Sequence, residues 1–142
     1  MLFHSTRGQD SNKTFEEVLM QGLASDGGLF MPDHWPQVDI EELKHLDSFV
    51  DVAKYIVPLF TESSFSKDEV LELLDDTWHD FSEHTFAPIK KLDDSKLVLE
   101  LFHGPTAAFK DFGLQLAAAF FNKSLVRQNK TAIVLGATSG DT

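Results

Sequence analysis

The chain has 142 residues, and 12 Lys+Arg stand against 23 Asp+Glu for a formal net charge of −11. With 42% hydrophobic residues and 13 Phe it is built for a globular core rather than for disorder. Zero cysteine excludes disulfides and thiolate metal sites, no apolar run nears the ~18 residues of a membrane span, and the acidic balance argues against non-specific nucleic-acid binding. The opening Met1-Leu2-Phe3-His4-Ser5-Thr6-Arg7 has no apolar signal core, so a cytoplasmic protein with no membrane or nucleic-acid partner is expected.

Along the chain, residues 2–6 read as a short strand. Thr14-Phe15-Glu16-Glu17 is a capping box opening a helix, with Phe15, Val18 and Leu19 on one face and Gly22 as its stop. Residues 23–32 form a turn-rich loop in which Asp26-Gly27-Gly28 supplies positive φ angles at low cost. Asp39 and Glu42 open a short helix ending near Leu46. Ser48 and Asp51 cap another that carries Phe49, Val52, Ala53 and Ile56 inward, and Pro58 should end or kink it. Ser66-Lys67-Asp68-Glu69 is a second capping box, with Leu71, Leu74 and Trp78 following at spacings of three and four.

The second part has a different character. Ile89 lies in a short extended piece, Asp93-Asp94-Ser95 turns the chain, and residues 96–102 are a strand. A helix over about residues 107–128, capped by Thr106, offers Phe109, Phe112, Leu116, Phe120 and Val126 for packing. Residues 131–135 form a short apolar run suited to a buried strand, and a loop begins at Gly136. Strand, helix, strand and glycine-containing loop make a βαβ pattern, which predicts an α/β fold with a parallel sheet. Charge changes sign between the parts: residues 1–94 hold 7 Lys+Arg against 20 Asp+Glu, a net of −13, and residues 95–142 hold 5 against 3, a net of +2. Such a change fits an acidic, solvated part followed by a segment suited to anions, and equally an ordinary helical surface followed by a buried core.

Three stretches carry candidate chemistry. His79-Asp80-Phe81-Ser82-Glu83-His84 has metal-ligand residue types but neither H-E-x-x-H nor H-x-x-E-H spacing, so a solvated helix end is expected and no metal. Gly136-Ala137-Thr138-Ser139-Gly140-Asp141-Thr142 is neither a Walker loop nor a nucleophile elbow. It presents hydroxyls and backbone N–H groups near a helix start, which suits either a carboxylate or phosphate, or a plain N-cap. In Thr106-Ala107-Ala108-Phe109-Lys110-Asp111-Phe112, Lys110 falls in the first turns of a helix between two aromatic residues. The helix dipole and desolvation both disfavour its ammonium, as Schiff-base chemistry requires. A surface lysine snorkelling beside core phenylalanines has the same local pattern.

At these residues the sequence resembles the threonine synthase family. Glu100-Leu101-Phe102-His103-Gly104-Pro105-Thr106-Ala107-Ala108-Phe109-Lys110-Asp111-Phe112-Gly113 is similar to that family's lysine segment, E-L-F-H-G-P-T-x-A-F-K-D-F, with Ala107 in place of the commoner Leu. Ala137-Thr138-Ser139-Gly140-Asp141-Thr142 resembles its T-S-G-D-T-G loop, short of the last glycine. Ser5-Thr6-Arg7-Gly8 and the stretch from Gly22 through Asp26-Gly27-Gly28 to Pro32 agree as well, with Phe3 at the usual opening aromatic. The likeness runs through the whole chain but through only the first third or so of a family member.

The resemblance implies a fold-type II pyridoxal-phosphate (PLP) enzyme. Residues 1–92 would be a mainly helical N-terminal domain with a short N-terminal strand. Residues 93–142 would be the first βαβ part of the PLP domain, truncated. Lys110 would carry the cofactor as a Schiff base and act as the catalytic proton carrier, with Phe109 and Asp141 beside the cofactor. Ser139, Gly140, Asp141 and Thr142 would bind the substrate carboxylate. The implied reaction converts O-phospho-L-homoserine and water to L-threonine and phosphate. The alternatives are a threonine-synthase-like phospho-lyase acting on the same substrate, and an inactive piece serving only in folding or association. For the 142 residues alone the expectation is weak PLP binding and no turnover. Self-association is also expected, if Phe109, Phe112, Leu116 and Phe120 normally pack against missing chain.

Overall fold

The computed structural model describes residues 1–82 and 85–140. The chain divides into two compact units, Met1–Asp75 and Asp76–Thr142. The first contains β1 (Phe3–Ser5), α1 (Phe15–Gln21), β2 (Phe30–Pro32), α2 (Ile40–Leu43), α3 (Phe49–Thr61) and all but the last residue of α4 (Lys67–Asp76). The second contains β3 (Ile89–Lys91), β4 (Leu97–Leu99) and α5 (Lys110–Arg127).

In the first unit the helix starts follow from side-chain chemistry. Thr14 accepts from the Glu17 N–H while the Glu17 carboxylate accepts from the Thr14 N–H at 2.8 Å, and Gly22, at φ 77°, ends α1. Asp39 caps α2 and Ser48 caps α3, each accepting a backbone N–H, at 2.8 Å from Glu41 and 3.0 Å from Asp51. The Ser66–Glu69 box opens α4 in the same reciprocal way. These bonds satisfy N–H groups that have no partner within the helix.

Two expectations for this unit need correction, and of the two outcomes expected at Pro58 the first does not occur. Pro58 does not end α3, which runs three residues further to Thr61; one missing N–H is outweighed by a helix that buries Ala53 and Thr61. The loop of residues 23–32 contains β2, which pairs antiparallel with β1 in the register Phe3↔Pro32, His4↔Met31, Ser5↔Phe30. Of the two consecutive glycines, only Gly27 has positive φ, 75°. The core gathers Phe3, Ala24, Phe65, Val70 and Leu74, with Phe15 against both Phe3 and Phe65 at ring separations of 6.2 and 6.1 Å.

The second unit is α5 and a small hairpin. α4 ends at Asp76, so Trp78 does not continue its apolar face; it turns off at φ 70° and is buried. Its indole N–H donates to the Phe112 carbonyl at 2.9 Å, and the Phe112 ring meets Phe81 at 4.9 Å. β3 and β4 pair antiparallel, Ile89↔Leu99 to Lys91↔Leu97, around a turn in which the Asp93 carboxylate accepts from Ser95 and Lys96.

The α/β class holds, as helices with small sheets, but the parallel βαβ arrangement is not formed among the described residues. Both sheets are antiparallel, and residues 131–135 carry no strand, with Ile133, Val134 and Leu135 exposed at 95%, 86% and 96%. A parallel strand needs a neighbour on its hydrogen-bonding edge and layers over both faces, and no strand of the described residues pairs with this run.

Candidate functional site

The approach to α5 is a tight turn, Gly104-Pro105-Thr106-Ala107-Ala108, closed by the Ala107 N–H donating to the Gly104 carbonyl at 3.0 Å. Thr106 was expected to cap the helix. The cap position is instead taken by Phe109, whose side chain makes no capping hydrogen bond, and α5 begins at Lys110. Thr106 has a longer-range task. Its N–H donates to Asp111 Oδ2 at 3.0 Å and its hydroxyl to Asp111 Oδ1 at 2.8 Å, so one buried carboxylate holds both. A second tie lies before the turn: the His103 carbonyl accepts from the Ser82 N–H and hydroxyl at 2.9 and 3.1 Å, and His103 Nε2 donates to Glu100 Oε2 at 2.9 Å.

Lys110 is therefore the first helical residue, half-buried, between a strained turn and a buried acid. The acid Asp111 in the first turn and Arg127 in the last both complement the helix dipole. Phe109 is 61% exposed and Phe120 is 1% exposed, so the expected patch of four exposed aromatic and aliphatic residues is not one surface: Phe120 belongs to the core and Phe112 packs against Phe81.

Of the loop residues, Ser139 and Gly140 are exposed, with the Gly140 N–H donating to the Thr138 hydroxyl at 3.2 Å and Gly140 at φ 112°. Asp141 and Thr142 lie outside the described residues, as do Glu83 and His84 of the candidate metal stretch. His79 donates from Nδ1 to the Asp76 carbonyl at 2.7 Å, and that bond, with the nearby Asp80 charge, holds its pKa above the usual value. Among the described residues no group of three or more His, Asp or Glu is arranged to hold a metal, and no helix is long and apolar enough to cross a membrane.

The two motifs near the N-terminus converge in the first unit. Asp26 accepts from the Ser5 hydroxyl at 2.7 Å, the Gly28 N–H at 2.8 Å and the Gln9 N–H at 3.0 Å, while Arg7 Nη1 donates to the Asp26 carbonyl at 2.9 Å. The Ser5 bond first, then those of Gly28 and Gln9, holds the Asp26 pKa below its usual value against the desolvation that would raise it. A Cβ on Gly28 would meet Ser5 Oγ at 2.3 Å. Glycine is needed there for space, which composition alone does not reveal.

The family described as "Threonine synthase N terminus" matches residues 2–78. The threonine synthase of Pseudomonas aeruginosa is 39% identical over 144 residues, an alignment covering 100% of this chain and 31% of the relative. That of Schizosaccharomyces pombe is 43% identical over 150 residues, covering 97% of this chain and 29% of the relative. Among solved structures, PLP-bound threonine synthase from Brucella melitensis superposes with a TM-score of 0.85 at 34% identity, over 91% of this chain and 28% of that one. The chain thus spans less than a third of the length of each, and the family match ends before Lys110.

Proposed function

We propose, on the premise that the chain belongs to the threonine synthase N-terminus family, that it supplies the lysine of a PLP-dependent carbon–oxygen lyase converting O-phospho-L-homoserine and water to L-threonine and phosphate. The observation that carries this is Lys110 itself, a half-buried primary amine at the first position of α5, inside the lysine motif of the family. An amine there fits the cofactor's aldehyde.

In this reading Lys110 would hold the cofactor, and its amine would carry protons at the substrate's Cα and Cβ. When bound, PLP supplies a ring that withdraws the electron pair left behind by a departing proton. The substrate's Cγ–O bond breaks with release of phosphate, Cγ gains a proton, and the oxygen of water bonds to Cβ. Ser139 and Gly140, with Asp141 and Thr142, would bind the substrate carboxylate, and Asp141 and Phe109 would help to hold the cofactor. Residues 1–92 serve as the N-terminal domain and 93–142 as the opening of the cofactor domain, although the compact units part earlier, after Asp75. A cytoplasmic location belongs to the same reading.

Borohydride reduction of the chain mixed with PLP, followed by peptide mass spectrometry, tests the central residue. The pyridoxyl adduct is expected on Lys110 in clear excess over exposed Lys67 and Lys130, and to be lost from that peptide in Lys110→Ala. An adduct spread evenly over the exposed lysines sinks the assignment. In an enzyme of the relatives' full length carrying these residues, threonine is the expected product; a 2-oxo acid in its place makes it a phospho-lyase. The 142 residues alone are expected to bind PLP weakly and turn nothing over.

A further inference from the structure

We propose that Asp111 is a positioning residue for Lys110, acting through Thr106; this rests on the reading of Lys110 given above. Asp111 is only 5% exposed, yet its carboxylate lies in the first turn of a helix on a chain with abundant exposed acids. Both of its oxygens are used on one residue, Oδ2 by the Thr106 N–H and Oδ1 by the Thr106 hydroxyl. Gly104 is pressed on the same group: a Cβ there would lie 2.4 Å from Oδ2 and 2.6 Å from the Asp111 Cβ. Between these contacts the chain makes an unfavourable choice, placing Ala107 in the left-handed region at φ 56°. A non-glycine residue holds that conformation only when its surroundings impose it.

The Asp111–Thr106 pair is what imposes it. Charge-assisted bonds to a buried carboxylate are the strong kind, and this pair closes the turn across the residues that lead into Lys110. Releasing either partner lets Ala107 relax to negative φ, which redirects the chain entering α5 and moves the Cα of Lys110, the residue bonded to Asp111. On the far side, the bond from the Trp78 indole to the Phe112 carbonyl anchors the same turn of the helix. The amine is therefore carried on a turn braced from both ends, as a group that must meet a reacting atom within a fraction of an ångström requires.

The test measures Lys110 in the full 142-residue chain, without relying on turnover. Site-resolved pyridoxyl trapping, normalised to Lys67 and Lys130, is measured for the parent chain, Thr106→Ser, Thr106→Val and Asp111→Ala, with far-ultraviolet circular dichroism to verify folding. Thr106→Ser keeps both donors and should match the parent within about twofold. Thr106→Val loses the hydroxyl alone and should lower Lys110 selectivity about threefold to fivefold. Asp111→Ala should lower it about tenfold. Equal selectivity in folded Thr106→Val and parent overturns the inference while leaving Lys110 as the PLP lysine, and Thr106→Val decides the matter if Asp111→Ala does not fold. A parent chain with no preference for Lys110 overturns the underlying reading, and this inference with it.

Discussion

Among the described residues two antiparallel pairs of three-residue strands form, β1–β2 and β3–β4, and they have very different surroundings. In the first pair Phe3 and Ser5 are buried and the strand ends are tied by Asp26 to Ser5, Gln9 and Gly28. In the second every strand residue is exposed, Ile89, Leu97 and Leu99 included, and the ties lie in the turn at Asp93. Strand length and pairing type are the same, so neither accounts for the difference. A short strand pair gains stability only from a face to bury and from polar groups satisfied in place. The first pair has both; the second has its polar turn and keeps its apolar residues available.

The largest expected effect attacks this difference at the glycines. Gly28→Ala drives a Cβ into Ser5 Oγ, Asp26 Oδ1 and Thr6 Oγ1 at 2.3, 2.9 and 3.0 Å. It should destabilise the first unit by about 3 kcal/mol, in the range of overpacking with lost hydrogen bonds. Gly136→Ala, with nothing within 4 Å, should leave stability unchanged within about 0.5 kcal/mol. Urea unfolding of the two variants measures both.

A smaller effect comes with acid. Asp26, Asp10 and Glu17 in the first unit all have lowered pKa values, Asp10 mainly through the Ser25 N–H and Glu17 through the Thr14 N–H. Each contributes stability that is present above its unfolded pKa and lost as pH falls through the lowered folded value. The second unit has Asp93, lowered by the Ser95 N–H, and His79, raised. The His79 contribution is full below its unfolded pKa near 6.5 and fades as pH rises through the folded value. Amide exchange resolved by residue should show β1 and β2 losing protection below pH 4 more steeply than α5. Between pH 8 and 6, the second unit should gain protection around His79. Equal acid sensitivity in both units would contradict the view that Asp26 holds the first sheet.

The smallest expected effect concerns the bare run. Ile133→Lys should change stability by less than about 0.5 kcal/mol, since that side chain is already in solvent. A loss above 1 kcal/mol in thermal unfolding would mean that residues 131–135 are packed in solution.

Much of the first unit was legible because its signals are local. Thr14 with Glu17, Asp39 with Glu41, Ser48 with Asp51 and Ser66 with Glu69 are partners within three residues, so residue type and spacing suffice. β2 was not legible, because Phe30–Pro32 has no periodicity of its own and becomes a strand only by lying against Phe3–Ser5. Around the candidate site the same division holds. The position of Lys110 in the first turn of α5 follows from the pattern of residues around it. The use of Thr106 to reach Asp111 rather than to cap the helix depends on Ala107 taking positive φ, which no alanine signals.

What the sequence by itself determined, then, is the set of helices, the caps of α1 to α4, the lysine in the first turn of α5 and the family to which the chain belongs. Those follow from bonds made within a turn or from motifs long enough to be specific. The tertiary structure alone decided that Trp78 leaves its helix, that Asp26 knots two separated motifs, that Asp111 braces the turn before Lys110, and that the apolar run after α5 forms no strand. Each depends on a partner from another segment or on the lack of one, and strand pairing and burial are properties of such partners rather than of the residues that seek them.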